Sequence, residues 1–465
     1  MSRIQLRSVV ATILIATGLA ASGMWPTAAA DEIAEVHGSA EIDRILTNVA
    51  REKSLQPASR CSDELFLRRV TLDLTGRIPT LSERNEFLEN PNREALVDRI
   101  LASDEFSSSW SELWVTQWYG YIDNNASDRD LLKQWLEARI QDGRPYDEIV
   151  HSMISATGES AFDGPVNFLL QHLDEPVVKI SRSFLGIRLD CARCHDHPFD
   201  RWKQDDFVRM NKFFDGIDRQ DVSSGNVRLV DTISEASPDE RPRFLSGAEP
   251  RTSQWRQEFS LFLVKSRPFA RNFANRIWYH LMGRGIVHPV DDISRDNPPA
   301  VPELLEWMTD EAKRSGFNVR HMLKLVCLSE AYQRNSSGAS AAEEQHKYFM
   351  VRAIKPLPPE HLYASECTAL GRKPETDERR TFIENFYGNS LNGDFSASWD
   401  YRETVQGLMS HLDQKVAPPS SDVKELFQKI LCRQPTPEEL QFLKDSSPRT
   451  ITFVLLHSSE FVFNH

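Results

Sequence analysis

Two cysteines separated by two residues, with a histidine directly after them, lie in the middle of the chain as Cys191-Ala192-Arg193-Cys194-His195. Two thiols at this spacing can add to the two vinyl groups of one haem, and the imidazole that follows can bind the iron as its proximal ligand. The pattern therefore predicts a covalently attached haem c held by Cys191, Cys194 and His195.

The same residues leave two other interpretations open. Cys191, Cys194, His195 and His197 could bind zinc, although an adjacent cysteine and histidine rarely bind one tetrahedral ion together. No second Cys-x-x-Cys or histidine pair completes a closed zinc site. The two thiols could instead form a structural or redox disulfide, although no strand–helix pattern of the thioredoxin type flanks them. The sequence favours haem over both alternatives.

The sixth coordination position of a haem iron decides between electron transfer and the binding of small molecules. His197 is too close to His195 in sequence to reach the opposite haem face. The sequence does not choose among the remaining candidates, which are Met210, Met153, His151, His172 or a residue of the other domain. Asp196, Asp200 and Arg201 could orient the histidines or pair with haem propionates, and Trp202 could cover a haem edge.

Residues 1–30 have the pattern of a secretory signal peptide. Arg3 and Arg7 precede an apolar run over residues 9–21, and Ala28-Ala29-Ala30 offers a cleavage site. Haem attachment of this kind takes place outside the cytoplasm, so we expect a periplasmic protein. No later stretch approaches the roughly 20 apolar residues that a membrane span needs, so we expect no stable membrane insertion after cleavage.

The overall charge argues against nucleic acid as a partner. The chain has a formal net charge of −13, and loss of Arg3 and Arg7 with the signal peptide would make it −15. Such a surface repels polyanions. Of the six cysteines, the sequence pairs only Cys191 with Cys194, and it cannot assign partners to the scattered ones, which are Cys61, Cys327, Cys367 and Cys432.

The elements that must position the motif are predicted to be helices. Thr80 and Glu83 form a capping-box pattern, and Thr436 with Glu439 forms another. Trp110, Trp114 and Trp118 recur at every fourth position, which is typical of one buried helix face. A helix over 177–185 should stop at Gly186. Residues 187–204 lack helical periodicity, so the motif is expected on a loop between two helices.

We therefore predict a mainly α fold with two helical domains. The first covers 31–217 and carries the motif, and the second covers 258–465. The connection over 218–257 is rich in serine, aspartate, glycine and proline and is expected to be irregular, with a short strand at 227–233.

A second polar run lies in the C-terminal half. Its members are Asn275, Arg276, Trp278, His280, Arg284, His288, Asp291 and Asp292. They could form a saccharide or metal site, but arginines and aspartates near a Gly-Arg-Gly turn more often form a buried ion-pair network. We favour the ion-pair network.

Several of these segments resemble a known pair of domains. Residues 66–80, FLRRVTLDLTGRIPT, and the stretch from Phe184 to Trp202 resemble a planctomycete cytochrome-like domain of unknown function, the PSCyt type. Residues 269–278 and 283–292 resemble its companion C-terminal planctomycete domain, the PSD type. The resemblance implies the order of the two domains and covers nearly all of the chain after residue 30, but it implies no biochemical role.

The function expected from the sequence is electron transfer by an exported haem-c protein with an unidentified redox partner protein. A structural or scaffold protein whose Cys/His loop holds zinc or a disulfide is an alternative. A hydrolase acting on polysaccharide is a third, although the sequence shows no catalytic carboxylate pair. Whether the chain is an enzyme is left open.

Overall fold

The computed structural model describes residues 28–124, 126–197, 200–223, 225–232, 241–336, 342–387 and 417–465. The described chain is mainly helical, so the predicted fold class is confirmed. Most of the predicted signal peptide, residues 1–27, lies outside the described residues. None of the helices in the described ranges is both long enough and apolar enough to span a membrane.

The first half of the chain is a series of helices that ends in a small β-hairpin. Its helices are α1 (Ala28–Glu52), α2 (Asp63–Thr75), α3 (Leu81–Glu89), α4 (Arg93–Leu101), α5 (Asp104–Trp118), α6 (Arg129–Gln141), α7 (Tyr146–Ser155), α8 (Val166–Gln171), α9 (Pro176–Ile180) and α10 (Gln204–Asn211). A π-helical turn over Ser181–Leu185 continues α9, and 3-10 turns cover Asp190–Arg193 and Lys212–Phe214.

The second half is also helical over its described residues. Its helices are α11 (Trp255–Lys265), α12 (Arg267–Met282), α13 (Pro302–Arg314), α14 (Val319–Leu328), α15 (Glu330–Gln333), α16 (Glu343–Lys347), α17 (Pro359–Leu370), α18 (Thr376–Tyr387), α19 (Val423–Leu431), α20 (Pro437–Leu443), α21 (Pro448–Leu456) and α22 (Ser459–Val462).

Two small antiparallel sheets accompany the helices. The strands β1 (Gly158–Glu159), β3 (Asn226–Asp231) and β2 (Ile217–Ser223) form one sheet in that order. The predicted strand therefore exists as β3, but its partner β2 lies in a segment that was expected to be irregular. The strands β4 (Lys355–Pro356) and β5 (Phe463–Asn464) form the other sheet, with Lys355 opposite Asn464.

Local capping signals set several helix ends. Both predicted capping boxes are present, because Thr80 accepts from the Glu83 backbone N–H and Thr436 accepts from that of Glu439, with the glutamates bonding back. Gly186 ends the π-helical turn in the left-handed conformation at φ 68°, which glycine adopts at little cost. The helix end that precedes the motif, and two helix starts elsewhere in the chain, thus follow from the local sequence.

The largest hydrophobic cluster contains residues from both predicted domains. The tryptophan face of α5 is buried, with Trp110 and Trp118 only 1% exposed. Tyr146 on α7 lies 5.3 Å from Trp114 between ring centroids and stacks on Phe273 of α12 at 4.4 Å. The predicted domain borders stay a prediction, but the two regions share one core.

A buried arginine pair on α2 also joins the two halves. The Arg69 side chain donates to the backbone carbonyl oxygens of Tyr332 at 2.5 Å, Arg334 at 2.9 Å and His465 at 2.7 Å. Arg68 donates to carbonyl oxygens of the segment 430–461. These bonds fix the C-terminal segment against α2.

Candidate functional site

The Cys191 loop, defined here as residues 190–204, lies between the turn that ends at Gly186 and helix α10. Cys191, Cys194 and His195 are exposed, whereas Ala192 is buried. Both thiols are free. The 3-10 turn therefore buries one of its residues and presents the three predicted haem-binding side chains to solvent.

Ion pairs fasten the start of the Cys191 loop to the second half of the chain. Arg182 lies 2.8 Å from Asp190 and 3.3 Å from Asp291, and Arg188 lies 2.8 Å from Asp291. The Asp291 side chain is completely buried. Asp291 thus belongs to a buried ion-pair network, as favoured from the sequence, and this network holds the residue that precedes Cys191.

Gln204, the first residue of α10, fastens the other end of the loop. Its backbone N–H donates to Asp196 Oδ1 at 3.0 Å. Its side-chain amide donates to the carbonyl oxygens of Arg193 at 3.3 Å and Cys194 at 3.2 Å. The backbone around the two thiols is therefore held from both sides while the thiols stay exposed.

The two histidines of the loop are held in different tautomers. His195 Nδ1 lies 2.8 Å from the Asp196 carbonyl oxygen, which can only accept, so Nδ1 carries the proton and Nε2 keeps a lone pair. His197 Nδ1 accepts from the Asp200 backbone N–H at 2.9 Å, so its neutral ring carries the proton on Nε2. Of the two neutral rings, that of His195 leaves Nε2 unprotonated and that of His197 does not.

The candidate sixth ligands from the sequence do not share the exposure of His195. Met153 and Met210 are fully buried. His151 Nδ1 lies 2.8 Å from Ser260 Oγ, and His172 Nε2 lies 2.7 Å from the Trp118 carbonyl oxygen. The structure therefore adds no support for any of the four.

The zinc interpretation needs several ligands in one place. Across the described ranges, no group of three or more His, Cys, Asp or Glu side chains is arranged to hold a metal ion. The four residues Cys191, Cys194, His195 and His197 are included in those ranges.

A second cluster of reactive groups, which the sequence did not reveal, surrounds Asp73 on α2. The Asp73 carboxylate is only 4% exposed and accepts from Lys355 Nζ at 2.5 Å, Arg352 Nη2 at 2.7 Å, Tyr332 Oη at 2.7 Å and Asn464 Nδ2 at 2.8 Å. Burial opposes ionisation of Asp73, but Lys355 and Arg352 outweigh it and lower the pKa. Asp73 is thus an ionised buried carboxylate.

A cavity of about 240 Å³ opens beside this carboxylate, and we call it the Asp73 cavity. It is lined by Asp73, Lys355, Asn464 and three histidines, His280, His288 and His361, together with apolar residues. Burial lowers the pKa of His361 to about 4 and also lowers those of His280 and His288. Burial lowers the pKa of Lys355 to about 8. At neutral pH the imidazoles are therefore uncharged and Lys355 is a cation.

Two members of the polar run, His280 and His288, belong to this cavity, whereas Asn275 and Arg276 form structural hydrogen bonds. Asn275 bonds both the N–H and the carbonyl oxygen of Val287 at 2.9 Å. Arg276 donates to the Arg182 carbonyl oxygen at 2.9 Å. In the local sequence the signal for the cavity is Asp73 itself, a charged residue between the apolar residues Leu72 and Leu74.

Family models match both halves of the chain. The PSCyt2 model, described as a protein of unknown function (DUF1549), matches residues 41–219, and the PSD1 model, described as a protein of unknown function (DUF1553), matches residues 256–385. The chain is a PSCyt2–PSD1 protein. No curated protein and no solved structure matches it. The Cys191 loop lies in the PSCyt2 region, and the Asp73 cavity combines residues of both regions with Asn464.

Proposed function

We propose that this PSCyt2–PSD1 protein is an exported c-type haem protein that transfers electrons to or from a partner protein. In this proposal Cys191 and Cys194 form the two thioether bonds, and His195 is the proximal iron ligand. The haem would supply a one-electron redox centre. The periplasm is the compartment in which we place it.

The tautomer of His195 is the observation that carries this proposal. A histidine that binds a metal through Nε2 usually donates its Nδ1 proton to a carbonyl oxygen or a carboxylate, which fixes the ring and leaves the lone pair available. His195 makes this bond with the Asp196 carbonyl oxygen. His197 has the opposite tautomer, so its Nε2 would first have to lose a proton.

The donor set also fits covalent attachment. Thioether formation needs two free and accessible thiols, and both Cys191 and Cys194 meet this condition. Asp190, held by Arg182, and Gln204 keep the intervening backbone in place. The protein thus holds its donors on a short turn that is fixed at both ends.

The proposal is tested by a peroxidase stain for haem on the denatured protein. The full chain is expressed with its leader in a periplasm that contains haem-attachment machinery. We expect a stain that survives denaturation, because thioether bonds are covalent. The double variant Cys191→Ala/Cys194→Ala should lose the stain, and the matched control His197→Ala should keep it.

Other outcomes separate the alternatives. An exported chain that never stains would contradict the proposal. Zinc found by metal analysis would then identify a zinc site, and a mass lower by two hydrogen atoms would identify a disulfide. Loss of the stain in His197→Ala but not in His195→Ala would contradict the assignment of the proximal ligand. A visible spectrum of the native haem-loaded protein that changes reversibly on reduction and reoxidation would support the redox role.

A further inference from the structure

Asp73, Lys355 and Arg352 form a buried group beside the Asp73 cavity that carries one net positive charge. Lys355 and Arg352 both face the one carboxylate of Asp73, at 2.5 and 2.7 Å. The three histidines of the cavity are neutral at pH 7, since burial lowers the pKa of each. One cation thus remains in excess beside an enclosed space, where a charge interacts more strongly than it does in water.

One N–H group of the Lys355 ammonium has no acceptor in the described part of the chain. An ammonium carries three N–H groups, and Lys355 uses two of them, on Asp73 Oδ1 and on the His280 carbonyl oxygen. Lys355 also lines the cavity, and its side chain is 18% exposed. The remaining N–H can therefore serve a molecule that enters the cavity.

Other polar atoms of the cavity lining lack partners. Asn464 is 1% exposed, and among the described residues neither its Oδ1 nor the buried Nδ1 of His288 has a hydrogen-bond partner. Buried polar atoms are nearly always paired, so each unpaired one calls for an explanation. His361 lines the same space and makes no hydrogen bond within the described part of the chain. A polar ligand in the cavity would provide hydrogen-bond partners for these atoms.

We infer that the Asp73 cavity binds a small organic carboxylate. A monoanion balances the single excess charge of Lys355, which a neutral polyol does not balance and which a phosphate dianion exceeds. The imidazoles of His288 and His361 can donate to the carboxylate or accept from a hydroxyl group on the ligand. The apolar lining, which includes Leu72, suits a short carbon chain.

Isothermal titration calorimetry on the exported full chain tests this inference. The probes are lactate and acetate as carboxylates, glycerol as a neutral polyol, and inorganic phosphate as a different anion. We expect saturable binding of lactate or acetate tighter than about 1 mM. Glycerol and phosphate should bind at least about tenfold more weakly.

Variants place the binding in the cavity. Lys355→Met removes the excess cation but leaves Asp73 paired with Arg352. His361→Phe removes an imidazole from the cavity lining without breaking a hydrogen bond in the described part of the chain. Each should weaken carboxylate binding at least tenfold. The matched control His346→Phe, on α16 and away from the cavity lining, should bind like the original chain.

The binding experiment still tests the inference if Lys355→Met fails to fold, because His361→Phe keeps all the hydrogen bonds of Asp73. Carboxylate binding that survives in a folded His361→Phe variant would overturn the inference. Absence of binding by both carboxylates, or equal binding of glycerol or phosphate, would also overturn it. None of these readouts depends on haem attachment, so the inference stands or falls separately from the proposed function.

Discussion

The Cys191 loop and the Asp73 cavity place their reactive side chains in opposite environments, exposed in the loop and buried in the cavity. In the loop the thiols and the imidazole are exposed, lie within five residues of each other and depend on the rest of the protein only for the position of their backbone. In the cavity the buried carboxylate of Asp73 on α2 is paired with Lys355 of β4 and with Arg352, and it also accepts from Asn464 of β5. Exposed donors can be changed at little cost in stability, whereas the buried groups hold the fold together as well as forming a site.

The difference predicts the largest effect at Asp73. Asp73→Asn leaves Lys355 and Arg352 buried without their carboxylate, and such removal costs roughly 3–5 kcal/mol in the free energy of unfolding. Urea denaturation measures it. The control Asp296→Asn alters an exposed aspartate and should stay within about 0.5 kcal/mol. A loss below 1 kcal/mol at Asp73 would show that these charges are solvated, contrary to the structure.

An intermediate effect is expected at Asp291, which connects the two regions. Asp291→Asn removes the charge that Arg182 and Arg188 share, and we expect a loss of about 2–3 kcal/mol in urea denaturation. Asp292, at 3.9 Å from Arg188, is the matched control, and Asp292→Asn should cost under about 0.5 kcal/mol. Unchanged stability together with loss of the haem stain would instead make Asp291 part of a functional centre.

A smaller effect depends on pH and reports on the cavity. Unfolded His361 binds a proton near pH 6.5, whereas the folded protein binds it only near pH 4, so acidification favours the unfolded chain. Between pH 7 and pH 5 the original chain should lose about 1–2 kcal/mol more than His361→Phe does. Thermal or urea unfolding at the two pH values measures this difference. His346→Phe should follow the original chain, and parallel pH profiles for all three would refute burial of His361.

The smallest effect is expected in the Cys191 loop. In protein made without haem attachment, Cys191→Ser should change the free energy of unfolding by less than about 0.5 kcal/mol, because the side chain is exposed. The same denaturation series measures it. A loss as large as that of Asp291→Asn would mean that the thiol has a structural role, and the contrast between the two regions would fail.

The sequence predicted the features that depend on neighbouring residues. The capping boxes at Thr80 and Thr436, the stop at Gly186 and the buried tryptophans of α5 all follow from spacing within one or two helical turns. The haem motif is of the same kind, and its assignment to Cys191, Cys194 and His195 stays a prediction.

The features that the sequence did not reveal depend on distant residues. The partners of Asp73 lie 259 to 391 positions away, and no local pattern marks them. Strands β4 and β5 have two residues each, which is too short for an alternating pattern. The hairpin strand β2 is mostly polar and exposed, so its sequence looked like an irregular connection.

The bonds of Arg68 and Arg69 have a consequence for the order of folding. These two guanidinium groups are buried near the beginning of the chain, and their carbonyl partners reach as far as His465, 396 positions later. Contacts this distant form slowly, because a long loop must close before they stabilise anything. The native core around α2 can therefore close only once the segment near His465 is available, so a partly synthesised or partly exported chain that lacks this segment stays incompletely folded.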